Sequence, residues 1–393
     1  MIILRLKPDR DSSVRAHHPW VFSGALLDVP KTCELGETVI LANASGSPLA
    51  VGAVSPKSQI TVRVWSFSPD TIIDAAFFQK RIGAALARRG AASSADVARR
   101  LVGAESDQLP GLLVDQYGEY LVCQFLSAGA ERWRNEIVAA LAEHAVPKGI
   151  WERSDVDVRQ KEGLEPRTGL LWGESPPERV TVQVGGLRFS ADLRTGHKTG
   201  LYLDQSENMA VISEFSVGRE VLNGFSYTGA FVMAALRGGA TKVTSIESSQ
   251  NAVDQMERHL ELNQFDPAMV DWMCGDVFAL LRTFRDSRRS FDMIVLDPPK
   301  FVVNASQLIK GGRGYKDINL LAFKLLRPGG VLITFSCSGH VTPELFQKFI
   351  ADAALDSGRN VQIIRWLSQA ADHPVGASFP EGRYLKGLVC RVD

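Results

Sequence analysis

Residues 220–247 read EVLNGFSYTGAFVMAALRGGATKVTSIE, and this stretch decides the fold. A short apolar strand at 220–223 runs into a loop with glycines at 224 and 229. A helix over 230–237 and a second strand over 242–247 follow. Strand and helix alternating in so short a span predict a parallel α/β sheet.

The alternation continues toward the C-terminus. A helix presents Val253, Met256 and Leu260, a strand lies near 269–273, and FDMIVL at 291–296 is a buried strand. A helix is expected over 313–326, stopped by Arg327-Pro328-Gly329-Gly330, then a strand over 331–335. The next helix has Thr342 as cap and Pro343 at its first position, with Phe346, Phe349, Ile350 and Ala353 facing inward. The runs 362–367 and 384–392 are expected to close the sheet as an antiparallel pair.

Toward the N-terminus the pattern changes. ETVILA at 37–42, LAVGA at 49–53 and QITVRVW at 59–65 alternate between turn signals and predict a small β barrel. From Asp74 a helical period buries Phe78, Ile82, Ala85 and Leu86 and ends at Arg88-Arg89-Gly90. Strands at 111–115 and 119–125 flank a turn at 116–118, and a helix over 131–144 buries Trp133, Ile137, Ala140 and Leu141. Val180, Val182 and Val184 alternate on one side of Gly185-Gly186 and Leu187, Phe189 and Ala191 on the other, a hairpin with a two-residue turn. The expected organisation is a β barrel over 1–70, an α+β domain over 71–190 and the α/β sheet over 191–393.

With 393 residues, 45% of them apolar and 22% charged, the chain is a globular protein of more than one domain. Lys and Arg number 44, as do Asp and Glu, so no large positive field attracts a partner unspecifically. Arg5, Lys7, Arg10, Arg15 and Lys57 form a candidate basic face on the barrel, although Asp9 and Asp11 lie among them. No apolar run is long enough for a membrane span and the N-terminus MIILRLKPDR is no signal peptide, so a cytoplasmic protein is expected. Five cysteines with no CxxC pair indicate neither a disulfide framework nor a zinc site.

In an open parallel sheet, ligands bind outside the carboxyl ends of the strands. After the first strand stands Asn223-Gly224-Phe225-Ser226-Tyr227-Thr228-Gly229, whose glycines let backbone N–H groups approach a ligand at a helix N-terminus; it is not GxGxxG. Glu247 ends the second strand, about 20 residues on, where a carboxylate accepts hydrogen bonds from both ribose hydroxyls of a nucleotide-type cofactor. The two features fit NAD and S-adenosylmethionine alike, and equally a plain glycine turn beside a surface Glu. Asp276 could accept from an adenine amino group or simply cap the helix after it.

Asp297-Pro298-Pro299-Lys300-Phe301 follows a buried strand, and the two prolines fix a rigid backbone whose carbonyls and adjacent carboxylate suit a planar polar ring. Cys337 follows the neighbouring strand, flanked by Ser336 and Ser338, where a thiolate could attack a ligand. Cys33, Cys123, Cys274 and Cys390 read as small buried apolar residues.

VLNGFSYTGAF at 221–231, GDVF at 275–278, DPPKF at 297–301 and FSCSG at 335–339 resemble the bacterial 23S ribosomal RNA cytosine-C5 methyltransferases of the large-subunit methyltransferase I family. HPWVFSG at 18–24 and HKTGLYLDQ at 197–205 extend the resemblance over essentially the whole chain. It implies an N-terminal PUA domain that binds RNA and a C-terminal class I, Rossmann-like methyltransferase domain that uses S-adenosylmethionine and no metal. Asn223 to Gly229 would hold the methionine part, Glu247 the ribose and Asp276 the adenine, with Asp297 and Gln205 also at the cofactor. Pro298, Pro299, Lys300 and Phe301 would line the base pocket, with Lys198 and Tyr202 near the site. Cys337 would be the nucleophile and Asp297 its catalytic partner at the base. The partner implied is 23S rRNA, without a membrane and with a homodimer allowed.

Lys300 stands where the larger eukaryote-like group of cytosine-C5 enzymes has a second cysteine, so product release is not assigned to a second thiol. Methylation of an exocyclic amine on guanine or adenine, and a non-catalytic RNA-binding assembly factor, are the competing readings. An NAD oxidoreductase lacks its usual glycine fingerprint here.

Overall fold

The computed structural model describes residues 1–92 and 94–393. The chain divides into two compact units. Met1–Val182, Ala191–Leu203 and Asp372–Gly382 form the first; Gln183–Ser190, Asp204–Ala371 and Arg383–Asp393 form the second.

The first unit contains two five-stranded sheets. One is ordered Ile2–Arg5, Thr38–Ala42, Pro48–Val54, Ile60–Ser66, Trp20–Phe22, and its alternating residues Leu4, Val21, Val39, Leu41, Val54, Val62 and Val64 fill its core. The other is ordered Arg167–Gly173, Gly149–Ser154, Tyr120–Phe125, Leu112–Tyr117, Ala98–Gly103. The helices Ala75–Arg89 and Arg134–Ala145 bury Phe78, Ile82, Ala85, Ile137, Ala140 and Leu141 in one cluster with Leu112, Val114 and Phe125 of that sheet. Asp74 caps the first helix by accepting from the Phe77 N–H, and Gly90 ends it at φ +66°.

Two expectations need correction here. The strand Leu112–Tyr117 runs through the residues read as a turn, because Tyr117 is buried and paired with Tyr120; the turn is Gly118-Glu119. The helix expected over 131–144 is two helices, Ala128–Arg132 capped by Ser127 and Arg134–Ala145, broken at Trp133.

The second unit is built on seven strands, β1 (Glu220–Gly224), β2 (Lys242–Glu247), β3 (Val270–Cys274), β4 (Phe291–Leu296), β5 (Leu326–Ser336), β6 (Val361–Leu367) and β7 (Lys386–Val392). Their order is β3-β2-β1-β4-β5-β7-β6, with β1 to β5 parallel and β7 antiparallel to both its neighbours. The helices are α1 (Ser206–Phe215), α2 (Ala230–Arg237), α3 (Gln250–Leu262), α4 (Val277–Asp286), α5 (Leu308–Leu325) and α6 (Pro343–Ser357). Ile294, Leu296 and Leu332 of the central strands are fully buried, as such strands require when helices cover both faces. The chain order reverses at β1 and β4, so their carboxyl ends open the crevice where ligands bind in such sheets.

Helix α5 begins at Leu308, five residues before the expected start, and β5 begins at Leu326, where Arg327-Pro328-Gly329-Gly330 was expected to lie between elements. Gly311 and Gly312 lie in the part of α5 that precedes the expected start. Gly311 gives room for close packing, since a Cβ there would lie 2.4 Å from the Phe301 carbonyl oxygen. Among the described residues no helix is long and apolar enough to cross a membrane.

Candidate active site

The loop from Asn223 to Gly229 joins β1 to α2 and is held open by backbone contacts. Phe225 and Tyr227 adopt φ +60° and +48°, and Gly229 caps α2 at φ +83°. A Cβ on Gly229 would lie 2.2 Å from Met256 Cγ, so only glycine fits that turn. The Ser226 N–H and hydroxyl both donate to the Ile246 carbonyl at 3.1 Å, and the Ser245 hydroxyl donates to Ser226 Oγ at 2.8 Å. His259, fully buried on α3, binds the Thr228 carbonyl through Nδ1 at 2.8 Å.

Glu247 ends β2 half-buried. Its Oε2 accepts the Tyr227 N–H at 2.8 Å, and its Oε1 accepts the N–H groups of Ser248 and Ser249 at 2.8 and 3.0 Å. The carboxylate thus stands fixed beside the loop. Asp276, exposed at the end of β3, caps α4 by accepting from Ala279 N–H through Oδ1 at 2.8 Å. The capping role of Asp276 is therefore real, and it occupies one oxygen.

At the end of β4, Asp297 is half-buried and Oδ2 accepts from Gln205 Nε2 at 3.0 Å. Gln205 is buried, and its Oε1 accepts from Asn208 Nδ2 at 2.6 Å, so both ends of its amide are used within the protein. Pro298 is buried, Pro299 and Lys300 are exposed, and the Phe301 ring packs among Phe225, Phe278 and Tyr315.

Cys337 follows β5, half-buried, with Sγ 4.0 Å from the Pro298 carbonyl oxygen. The two rim segments meet there. Ser336 and Ser338 on either side are fully buried, and their hydroxyls hydrogen-bond Tyr315 OH at 2.9 and 3.0 Å, which ties the thiol's backbone to α5. Lys386, paired in register with Ser336, is buried too, and its Nζ donates to the carbonyls of Ser338 at 2.7 Å and Tyr384 at 2.8 Å. Burial, opposed by the charge of Cys337 and reinforced by Arg383 and Lys300, lowers the Lys386 ammonium to about 8. Sequence patterns did not mark Tyr315, Lys386 or His259. A lone lysine inside the apolar run LKGLVC was the available signal, since lysines are almost never buried without partners.

The other thiols differ from one another. Burial pushes Cys123 up and Cys390 up to about 12, so both are inert. Cys33 is half-buried and raised by burial with Glu37 and Asp28. Cys274 departs from the buried apolar reading: it ends β3 exposed, with Sγ 3.6 Å from the Ser248 carbonyl.

Lys198 and Tyr202 lie in the segment that packs in the first unit. The Lys198 ammonium sits 5.4 Å from the centre of the Tyr202 ring. Between them the Thr199 hydroxyl donates to Asp115 at 2.7 Å, and the Leu201 N–H donates to Tyr117 OH at 3.0 Å.

A family model described as an S-adenosylmethionine-dependent methyltransferase matches residues 158–374, and one described as a PUA-like domain matches residues 4–67. The seven-stranded sheet and the rim at its carboxyl edge thus define an S-adenosylmethionine-dependent methyltransferase with an N-terminal PUA-like domain. A ribosomal RNA large subunit methyltransferase I from Tolumonas auensis is 50% identical over 390 residues, 98% of each chain. One from Escherichia coli O139:H28 is 49% identical over 391 residues, 99% of each. The chain belongs to the ribosomal RNA large subunit methyltransferase I family. Two solved structures share the fold over 100% of both chains at 23% identity: a putative SAM-dependent methyltransferase from Streptococcus mutans, TM-score 0.86, and a putative methyltransferase complexed with SAH, TM-score 0.87.

The residues present fit that cofactor. Asn223 Oδ1, at the carboxyl end of β1, is buried without a hydrogen-bond partner, an acceptor that the ammonium of a methionine moiety would satisfy. Glu247, held by three backbone N–H groups, has a fixed carboxylate of the kind that a ribose diol would require.

Proposed function

We propose that this protein methylates C5 of a cytosine in 23S rRNA, with Cys337 as covalent nucleophile. The observation that carries the reading is the approach of Cys337 Sγ to the Pro298 carbonyl, which places a thiol and the Asp297 carboxylate at the ends of adjacent strands β4 and β5.

Carbon 5 of cytosine is a weak nucleophile. Attack of the Cys337 thiolate on C6 forms an S–C6 bond and moves the C5–C6 π electrons into the ring, so that C5 becomes enamine-like. Asp297, steadied by Gln205, hydrogen-bonds N3, either protonated or sharing a proton with it, and stabilises the charge that gathers there. S-adenosylmethionine, when bound, supplies an electrophilic methyl group. A proton then leaves C5, the S–C6 electron pair returns to sulfur, and the ring regains its aromaticity.

We assign Asn223 to Gly229, Glu247 and Asp276 to the cofactor, Pro298, Pro299 and Lys300 to the rim of the base pocket, and Phe301 to its wall. The PUA-like domain contributes RNA contacts. In the first unit, Arg15, His17, Trp65 and Phe67 of this domain line a cavity of about 620 Å³ together with Arg81, Arg88 and Phe379 from outside it. Such mixed cationic and aromatic surface suits phosphates and unstacked bases. A substrate of bacterial ribosomal RNA puts the protein at work in the cytoplasm.

The test is nucleoside mass spectrometry of 23S rRNA from a strain lacking the gene, incubated with purified protein and S-adenosylmethionine. The expected product is 5-methylcytosine at one site. A methylated guanine or adenine amine instead would overturn the cytosine reading and leave Cys337 without a task.

A further inference from the structure

We propose that Lys386 activates Cys337, its buried ammonium being the cationic partner that holds the sulfur as a thiolate. The proposal rests on the covalent reading above and names the group that makes the thiol reactive.

The geometry is specific. Lys386 opens β7 directly opposite Ser336, the residue before Cys337, and it donates to the carbonyl of Ser338, the residue after it. One ammonium therefore grips the backbone on the far side of the thiol while its register partner stands on the near side. Two of its three N–H groups go to the carbonyls of Ser338 and Tyr384. A lysine needed only to satisfy carbonyls is a costly choice at a buried position, because the charge must be stripped of water. A nearby thiolate changes that balance, since each charge then stabilises the other.

The groups that bear on Lys386 are Cys337 after β5, Arg383 ahead of β7, and Lys300 in the loop after β4. Tyr315 of α5 faces Cys337 through the two serine hydroxyls. Among these, Lys386 is the buried cation on the thiol's own strand pair. With its ammonium lowered to about 8, it is charged in most molecules at neutral pH and neutral in the rest. In the neutral fraction the proton moves from Sγ to Nζ: the S–H bond breaks, an N–H bond forms, and the same ion pair results without change of net charge. At the end of the reaction sulfur leaves C6 with its electron pair and meets the same ammonium.

The experiment is the pH dependence of Cys337 alkylation by iodoacetamide, read on the Cys337 peptide by mass spectrometry in the full-length protein. Wild type is expected to react with a midpoint below the ordinary thiol value of about 8.5. Lys386→Met removes charge and donors. Lys386→Gln keeps a donor for one carbonyl but removes the charge. Both should raise the midpoint by about one pH unit or more, which is roughly tenfold slower alkylation at pH 7, whereas Lys386→Arg should restore the low midpoint. A wild-type midpoint at or above 8.5, or a wild-type profile in Lys386→Gln, overturns the proposal, even where Lys386→Met does not fold. An unchanged Lys386→Gln profile with methylation abolished in Cys337→Ala removes this role alone. Full methylation by Cys337→Ala removes the covalent reading and this role together.

Discussion

Gln205 donates its side-chain amide to Asp297 Oδ2 at 3.0 Å, joining the start of α1 to the end of β4. The amide is itself held by Asn208, which also donates to the Ser368 carbonyl at 3.0 Å. Asp297 is thereby aimed by a chain of amides. Gln205→Leu keeps the volume and removes the donor, leaving buried partners unsatisfied, so it should cost about 1–3 kcal/mol of stability. Methyl transfer should fall further than cofactor affinity, because the carboxylate loses its orientation at the base. Equal losses in turnover and in calorimetric affinity for S-adenosylmethionine would show instead that Gln205 serves the cofactor.

Glu247 is predicted to hold the ribose diol. Glu247→Ala should weaken S-adenosylmethionine binding by roughly 1.5–3 kcal/mol for each charge-assisted hydrogen bond removed. Because the same carboxylate takes the Tyr227 N–H, the glycine loop loosens as well, and Glu247→Gln should recover part of the loop but little of the affinity. Calorimetry on the folded variants decides, and wild-type affinity in Glu247→Ala would refute the assignment.

The strand ends that build this rim were legible because each lies where an apolar run meets a glycine, proline or acidic residue, a local pattern. What stayed hidden depends on distant partners. Lys386 reaches a carbonyl 48 residues away, and the apolar run around it hints at burial without naming that partner. The early start of α5 was masked because Gly311 and Gly312 look like breakers until the Phe301 backbone and the Phe349 ring are seen against them. Cys274 looked like a core residue from its type alone, but it ends the edge strand β3 and is exposed there. Sequence pattern reports what a residue prefers, and the rim is decided by what the neighbouring strands leave it.

Acid should unfold the first unit through Asp107. Burial alone would raise this carboxyl. Hydrogen bonds from Arg89 at 2.6 Å, Arg88 at 2.9 Å and the Gly103 N–H at 2.6 Å overcome that and hold it below the ordinary value. A depressed folded-state pKa stabilises above the unfolded value of about 3.9, and that contribution is lost as pH falls through the folded value. Urea unfolding between pH 3 and 7 should show stability dropping below about pH 4. Asp107→Asn leaves the buried Arg89 uncompensated and should cost about 3–5 kcal/mol at pH 7 while flattening the acid slope.

The cavity of the first unit is predicted to carry RNA affinity. Arg15 and Arg81 line it, with His17 stacked on Phe67 at 4.4 Å between ring centres. Reversing both charges, Arg15→Glu with Arg81→Glu, should weaken rRNA binding and make its dependence on salt shallower. The expected change in log–log slope is about 0.7–0.9 for each phosphate that is no longer neutralised. S-adenosylmethionine affinity should stay at the wild-type value. Reversal of Arg5 and Arg10, exposed elsewhere on the same unit, maps how far the basic face extends. An unchanged affinity and slope in every variant assigns the PUA-like domain another task.

Cys337→Ala gives the sharpest test of the chemistry. The side chain is small and half-buried at the rim, its sulfur 4.0 Å from the Pro298 carbonyl oxygen. Removing it should leave the fold and the affinity for S-adenosylmethionine intact while abolishing 5-methylcytosine formation. RNA carrying 5-fluorocytosine extends the test, because fluorine replaces the proton that must leave C5. The wild-type protein should then accumulate a covalent RNA complex that depends on the cofactor and resists denaturing electrophoresis. Cys123→Ala and Cys390→Ala should trap as wild type, since burial holds both thiols in their unreactive form. Cys33→Ala should do the same. Cys274→Ala is the demanding control: that thiol is exposed and ends the strand beside Glu247, so it can meet solvent reagents. Trapping that survives Cys337→Ala but disappears in Cys274→Ala would transfer the nucleophile to β3, and methylation that survives both would leave an exocyclic amine as the acceptor.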